Sequence, residues 1–315
     1  MKGEFISMNK VMKKLLCACL ALAMLITIIP PVTAQAAKTK SVVLYKGEVV
    51  EISDNFYSTV KSVSSSKKAV VAAKKDSKRN YKAILTAKKA GKSTVTLKTK
   101  NGTFKYVVTV KNYDFTVSFK NIGNDYLLMS VKNNTKTTFD DLQLTYTLCN
   151  SAGDVIEKKE KIVSDLLPGK KSYEKISVYG MDVDPSQCTA KAKASSRSLD
   201  AKYTNLNSKI KFTTSEEKSG DYTEISVKMK NNSKKSARGT VFVFVYDANG
   251  NILDMKEIYV GSFDAGNIKT ESVKVYNYIG EYDHCDIVPA IYSKEYYKEQ
   301  TFKGPTAVGP FFRWL

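Results

Sequence analysis

One feature limits the folds open to this chain more than any other: two long stretches repeat each other. Lys132-Asn133-Asn134-Thr135 returns 98 residues later as Lys230-Asn231-Asn232-Ser233. Ser151-Ala152-Gly153-Asp154 returns 97 residues later as Ala248-Asn249-Gly250-Asn251. Gly169 and Gly266, Tyr179 and Tyr276, and Cys188 and Cys285 keep that same spacing of 97. A register held over such a distance, with one single-residue adjustment, makes about 112–205 and 206–300 two copies of one domain.

Each copy reads as short strands. Leu127, Met129 and Val131 alternate with polar or small partners, as do Ile225, Val227 and Met229. Leu142, Leu144, Tyr146 and Leu148 are answered by Val241, Val243 and Val245, and Ile176 and Val178 by Val273 and Val275. Period-two alternation places one side of a strand in a core and the other in solvent. The Asn-Asn, Ala-Gly-Asp and Asn-Gly-Asn steps between the runs are turn chemistry. Strands at roughly ten-residue spacing, with no helical period, predict a β-sandwich.

A third segment, about 38–111, precedes the copies and has its own pattern. Val43, Leu44, Val49, Val50 and Ile52 flank a Lys46-Gly47 turn, and strands are expected over 69–73, 81–87, 93–97 and 104–110. Asn101-Gly102 supplies a hairpin turn. The fold class expected is therefore all-β, three tandem sandwiches. The joints near 111–114 and 203–208 are short, so the modules are expected in a row with limited freedom.

The N-terminus carries an export signature. Lys10, Lys13 and Lys14 precede an apolar run from Leu15 to Ile29, closed by Pro30-Pro31, and Ala34-Gln35-Ala36 offers small residues where a signal peptidase reads. Residues 1–36 are expected to be a signal peptide cleaved after Ala36. The alternative is an uncleaved anchor, for which the run is short. No second long apolar run follows, so no membrane span is expected in the mature chain.

Charge is laid out unevenly. Residues 38–111 hold 18 Lys+Arg against 4 Asp+Glu, a net of +14, while 112–205 hold 13 against 12 and 206–315 hold 15 against 14. The excess on the first module is read in two ways: as a solvated surface that favours solubility, or as attraction to a polyanion. The residues that would carry the second are Lys67, Lys68, Lys74, Lys75, Lys78, Arg79, Lys82, Lys88, Lys89 and Lys92. Nearly all are Lys, which suits diffuse Coulomb attraction better than forked recognition of single phosphates.

Catalytic chemistry has little to work with. His284 is the only histidine, and on a strand it faces away from its neighbour Cys285. No catalytic residues, metal site or cofactor are expected, and no phosphate-binding Gly-rich loop occurs. Asp182-Val183-Asp184 and Asp140-Asp141 are read as polar loops rather than calcium ligands. Of the cysteines beyond the signal peptide, Cys149 and Cys188 share one copy, and a bridge is open to an exported chain. The matching positions of Cys188 and Cys285 argue instead for a buried core residue in both copies. Phe311-Phe312-Arg313-Trp314-Leu315 ends an aromatic tail over 301–315.

The first module resembles the bacterial Ig-like group 2 family. Gly47, Ser64-Ser65-Ser66-Lys67-Lys68-Ala69-Val70 and Leu85-Thr86-Ala87-Lys88-Lys89-Ala90-Gly91-Lys92-Ser93-Thr94-Val95-Thr96 carry the likeness, with Ser62 at or near the place of a usual aromatic. The two copies resemble FxLYD-type domains of secreted Gram-positive proteins. Val131-Lys132-Asn133-Asn134 and Asp165-Leu166-Leu167-Pro168-Gly169 carry this in the first copy, and Lys230-Asn231-Asn232 and Val245-Tyr246-Asp247-Ala248-Asn249-Gly250 in the second. The first copy has Leu148-Cys149-Asn150 where Tyr-Asp would fall, and the second has Asp264-Ala265-Gly266 without the proline. These resemblances imply Ig-like sandwiches in a secreted or envelope-associated, non-enzymatic scaffold of a Gram-positive-like bacterium. The expected partner is an anionic cell-wall polymer or a host glycan bound by the first module. The alternative is an adhesin that uses the paired domains to bind protein. Nucleic acid fits the charge but not the compartment.

Overall fold

The computed structural model describes residues 38–54, 57–123, 125–196, 199 and 201–296. Residues 1–36, where a signal peptide is expected, and the 301–315 tail lie outside the described residues. Over the described residues the fold is all β, and its sheets pair into three sandwiches.

The first sandwich is built from β1 (Lys38–Tyr45), β2 (Val49–Ile52), β3 (Val60–Ser65), β4 (Val71–Lys75), β5 (Ala83–Ala87), β6 (Gly91–Thr99) and β7 (Gly102–Lys111). One layer runs β1-β7-β6-β3; the other holds β2-β5-β4. The alternation works as expected: Val95 and Leu97 from β6, Val108 and Val110 from β7, and Leu85 from β5 meet in one core.

The first copy comprises β8 (Phe115–Ile122), β9 (Tyr126–Asn133), β10 (Phe139–Cys149), β11 (Val155–Leu166), β12 (Lys171–Ser177) and β13 (Thr189–Ser196). The second comprises β14 (Ala201–Asn205), β15 (Ile210–Ser219), β16 (Tyr222–Asn231), β17 (Ala237–Tyr246), β18 (Ile252–Phe263), β19 (Ile268–Tyr276) and β20 (His284–Tyr296). Each copy sets a three-stranded layer, β12-β9-β8 or β15-β16-β19, against a layer centred on β10 or β17. The strand over 201–205 pairs with β20, so it lies in the second copy's sheet and not before the joint expected at 205.

The most conspicuous repeated motif is structural. Asn133 is fully buried, and its amide donates to the carbonyls of Thr137 and Leu166 while its oxygen accepts from Thr135. Asn231 does the same with Lys235, Phe263 and Ser233. A buried amide with its donors and acceptor satisfied ties two strand ends together, and an apolar residue would leave those carbonyls orphaned.

The modules do not merely follow one another in a row. β13 runs parallel to β2 at Ser196 and Val49, so one sheet crosses from the first copy into the first sandwich. Tyr45 leaves its own sandwich's core and packs in that of the first copy, 5.6 Å from the Tyr113 ring and 5.1 Å from Phe139. Gly47 makes the approach possible. It has φ +90°, and a Cβ there would stand 2.9 Å from the Lys193 carbonyl oxygen.

The two copies share a further core of their own. Ile122 and Leu128 of the first copy meet Phe242, Phe244 and Met255 of the second, with Tyr173 packed against them. Tyr173 lies edge-on to Phe242 at 5.1 Å and to Phe244 at 4.9 Å, a favoured aromatic geometry. Beside this core the Lys175 ammonium reaches Asp254 at 2.7 Å, and Lys256 holds the other oxygen at 2.8 Å. Burial alone would raise the Asp254 carboxyl, but the two lysines outweigh it and hold the pKa below the usual value.

Candidate functional site

The basic excess of the first sandwich resolves into surfaces of different character. All four of its carboxylates are engaged. Tyr45 donates its backbone N–H to Glu48 at 2.8 Å, and Asp54 accepts from Thr99 at 2.8 Å and from Ser58. Glu51 takes Arg79 and Lys82, and Asp76 takes Arg79 at 2.9 Å. Burial pushes the Glu51 carboxyl up, but Lys82 and Arg79 win and lower it. The Lys78 backbone N–H and the Arg79 guanidinium lower Asp76. Arg79 and Lys82, two of the ten expected polyanion contacts, are therefore occupied within the sandwich.

The remaining eight are exposed and make no ion pair among the described residues. Lys67, Lys68, Lys88 and Lys89 gather at one end, because their two turns are laced together. The Lys88 N–H donates to Val70 O at 2.8 Å, and the Lys67 N–H donates to Ser93 Oγ at 3.1 Å. Ser93 Oγ also bonds Ser65 Oγ at 2.9 Å. Lys74 and Lys75 lie at the far end of edge strand β4, with Lys78 in the turn beyond.

A second basic surface joins Lys92 to lysines that the sequence did not single out. The β1-β7-β6-β3 sheet contains neither Asp nor Glu in any of its four strands. On its outer face β6 presents Lys92, Thr94, Thr96 and Lys98, β7 presents Thr103, Lys105, Val107, Thr109 and Lys111, and β3 presents Ser62 and Ser64. Lys98 pairs with Thr103 and Thr96 with Lys105, so Lys98 and Lys105 are diagonal neighbours, about 7–8 Å apart. The signal was legible as Lys-x-Thr-x-Thr-x-Lys over 92–98 and Thr-x-Lys over 103–105, but only strand pairing sets these runs side by side.

The other expected residues fall as follows. Cys149 and Cys188 are free thiols, so the bridge left open above is absent. Cys188 donates to the Asp184 carbonyl at 3.3 Å, and burial raises its pKa. Cys188 and Cys285 each pack against the core of their own copy, as equivalent positions should. His284 is exposed and stacked on Tyr246 at 4.9 Å, while Cys285 turns inward; strand alternation separates them. Asp140 does not form a carboxylate pair with Asp141: it accepts from Tyr203 and from Lys294, the latter at 3.3 Å. Among the described residues no group of three His, Cys, Asp or Glu is placed to hold a metal ion, and no helix is long and apolar enough to cross a membrane. A shallow hollow between the copies, lined by Asp165, Leu166, Lys170, Asn205 and Ile291 among others, has room for about one water molecule and is far too small for a ligand pocket.

No family model matches this chain. No curated protein matches it either. Solved structures match this chain at low similarity. The I9–I11 tandem from titin is 16% identical with a TM-score of 0.21, over 82% of this chain and 95% of that one. SGBP-B of the Bacteroides ovatus mixed-linkage glucan utilization locus, solved with a mixed-linkage heptasaccharide, is 11% identical with a TM-score of 0.21, over 77% and 70%. Latent PorU from Porphyromonas gingivalis is 10% identical with a TM-score of 0.19, over 83% of this chain and 32% of that one. At these scores the matches carry no argument about this chain, and its own surface must speak for its function.

Proposed function

We propose that this is an exported, non-catalytic binding protein of a Gram-positive-like cell envelope that associates with anionic wall polymer through its first sandwich. The observation that carries the reading is the carboxylate-free sheet with Lys92, Lys98, Lys105 and Lys111 among serine and threonine hydroxyls. Lysines without internal counter-ions repel one another, and a polyanion relieves that repulsion. The hydroxyls add donors for phosphate oxygens along the same face. The resemblances to bacterial Ig-like group 2 and FxLYD-type domains and the export signature at 1–36 support the compartment. The placement of His284 and Cys285 on opposite faces of β20 supports a non-catalytic role.

Cosedimentation with purified walls across a salt series tests this. Lys92→Gln/Lys98→Gln/Lys105→Gln is expected to weaken binding at least about tenfold, since each lost contact removes on the order of 0.5–1 kcal/mol at low salt. Raising the salt from about 50 to 500 mM should weaken the parent protein in the same way. Binding that ignores both salt and the triple substitution refutes the proposal. The adhesin alternative would need the same docking face on both copies. The part of the β12-β9-β8 face around Ile122, Leu128 and Tyr173 is covered by the second copy while its counterpart is open, so the copies do not offer the same face, which favours the polymer reading.

A further inference from the structure

The open counterpart face points to a second site. On the outer side of β15-β16-β19, strand register stacks the side chains into rungs. Tyr222 pairs with Tyr276, Glu224 with Lys274, Ser226 with Ser272, and Lys228 with Thr270. β15 extends each rung, with Glu217 beside Glu224, Ser215 beside Ser226, and Lys211 beside Lys230. Two features of this face are unusual for a surface that meets only water.

The first is an aromatic ledge. Tyr222 lies 5.9 Å from Tyr276, and Tyr276 stacks at 5.6 Å on Tyr278, which is 85% exposed. The ledge is braced. Asn277, between the latter two, donates its side-chain amide to Gly220 O at 2.7 Å, and its backbone N–H donates to Asp221 O at 2.9 Å. Lys274 caps the Tyr222 ring at 4.1 Å. The second feature is Lys211 directly opposite Lys230, with Lys228 on the next rung. Like charges facing each other across strands are unfavourable, and none of the three makes an ion pair among the described residues. Six residues of strand, about 20 Å, separate the tyrosine rung from Lys228.

We infer that this face binds a linear glycan whose sugars alternate neutral and acidic. The C–H face of a pyranose is apolar and slightly positive, and it stacks on the negative face of an exposed tyrosine. The Ser272 hydroxyl already donates to Glu224, which leaves Ser226 and the remaining oxygens of Glu217 and Glu224 to accept hydrogen bonds from sugar hydroxyls. The carboxylates of the glycan complement Lys211, Lys228 and Lys230. Single-stranded nucleic acid would also use rings and lysines, but the Glu217–Glu224 pair beside the ledge repels a chain charged at every unit and suits one with hydroxyls there.

Isothermal titration of the full chain with an octasaccharide of alternating glucuronate and N-acetylglucosamine tests this, with a neutral β-linked glucose hexasaccharide and an eight-residue oligothymidylate as comparators. The octasaccharide is expected to bind, and the comparators to bind at least about tenfold more weakly. Tyr276→Ala/Tyr278→Ala and Lys228→Gln/Lys230→Gln should each weaken it about tenfold or more. These side chains are partly or largely exposed, and unchanged thermal midpoints would confirm the folds of the variants. In Lys92→Gln/Lys98→Gln/Lys105→Gln, which removes the first-sandwich surface expected to attract any polyanion, the octasaccharide should still bind, and adding Tyr276→Ala/Tyr278→Ala should still weaken it about tenfold or more, which separates the two surfaces. The proposal is overturned by absent binding, by binding lost only in the first-sandwich variant, or by equal binding of either comparator.

Discussion

The two copies of the repeated domain share six matching strands, the same buried asparagine and matching core positions, yet their outer faces are opposites. Where the first copy carries Leu128, Tyr173 and Lys175 on its three-stranded face, the second carries Ser226, Thr270 and Ser272. On the other layer the order reverses. The first copy places Thr145 and Thr147 on β10, and the second places Phe242 and Phe244 on β17. The apolar face of one copy fits the apolar face of the other, and each copy's remaining face is polar. A duplicated domain thus becomes a closed pair by substitution at the outward parity of its strands, with the inward parity kept for the core. The polar face left over on the second copy is where the tyrosine ledge stands.

That comparison can be broken most strongly at its centre. Phe244→Ala removes a ring 4% exposed and in contact with Tyr173, and should cost about 3–5 kcal/mol. Calorimetry should then separate one transition into two as the copies uncouple. Leu128→Ser writes the second copy's residue into the first, and about 2–4 kcal/mol should be lost on chemical denaturation. The reverse exchange, Ser226→Leu, should leave stability within about 0.5 kcal/mol, and any dimer formed by the new apolar spot is read by gel filtration.

Two carboxylates at the copy–copy contact should respond to pH with opposite sign. The Asp254 pKa lies below its ordinary 3.8, so its contribution is present above pH 3.8 and is lost as pH falls through the depressed value. In thermal melts at falling pH, the parent should lose stability that Asp254→Asn does not lose. Asp165 runs the other way. Desolvation raises its pKa above 3.8 although Tyr292 donates to it. Its contribution is therefore full below pH 3.8 and lost as pH rises through the raised value. Asp165 has φ +50°, which asparagine tolerates well, so Asp165→Asn should match or slightly exceed the parent's thermal midpoint at pH 7. A lower midpoint there would show that the Tyr292 hydrogen bond outweighs desolvation.

Much of this architecture was legible in the chain. The alternation of Leu127, Met129 and Val131 named one strand's core face, and Cys188 and Cys285 named one core position twice. The run Val241-Phe242-Val243-Phe244-Val245 carried a further message, since a strand apolar on both parities is buried on both faces. The candidate site was half legible. Lys67, Lys68, Lys88 and Lys89 stood out as dense local clusters, whereas Lys98 and Lys105 are scattered singly along β6 and β7. Arg79 and Lys82 looked equal to the others until Glu51 and Asp76 folded against them.

By itself, then, the sequence determined the strands, the duplication, the inward-facing residues and the concentration of lysine in the first module. These depend on period and composition along the chain, and a residue's parity is set by its neighbours. The tertiary structure alone decided which outward faces meet, which lysines keep free charge, and that Tyr45 completes a core outside its own sandwich. Those outcomes depend on contacts between residues far apart in sequence, where shape and charge complementarity between whole sheets selects one pairing among several that the same alternation allows.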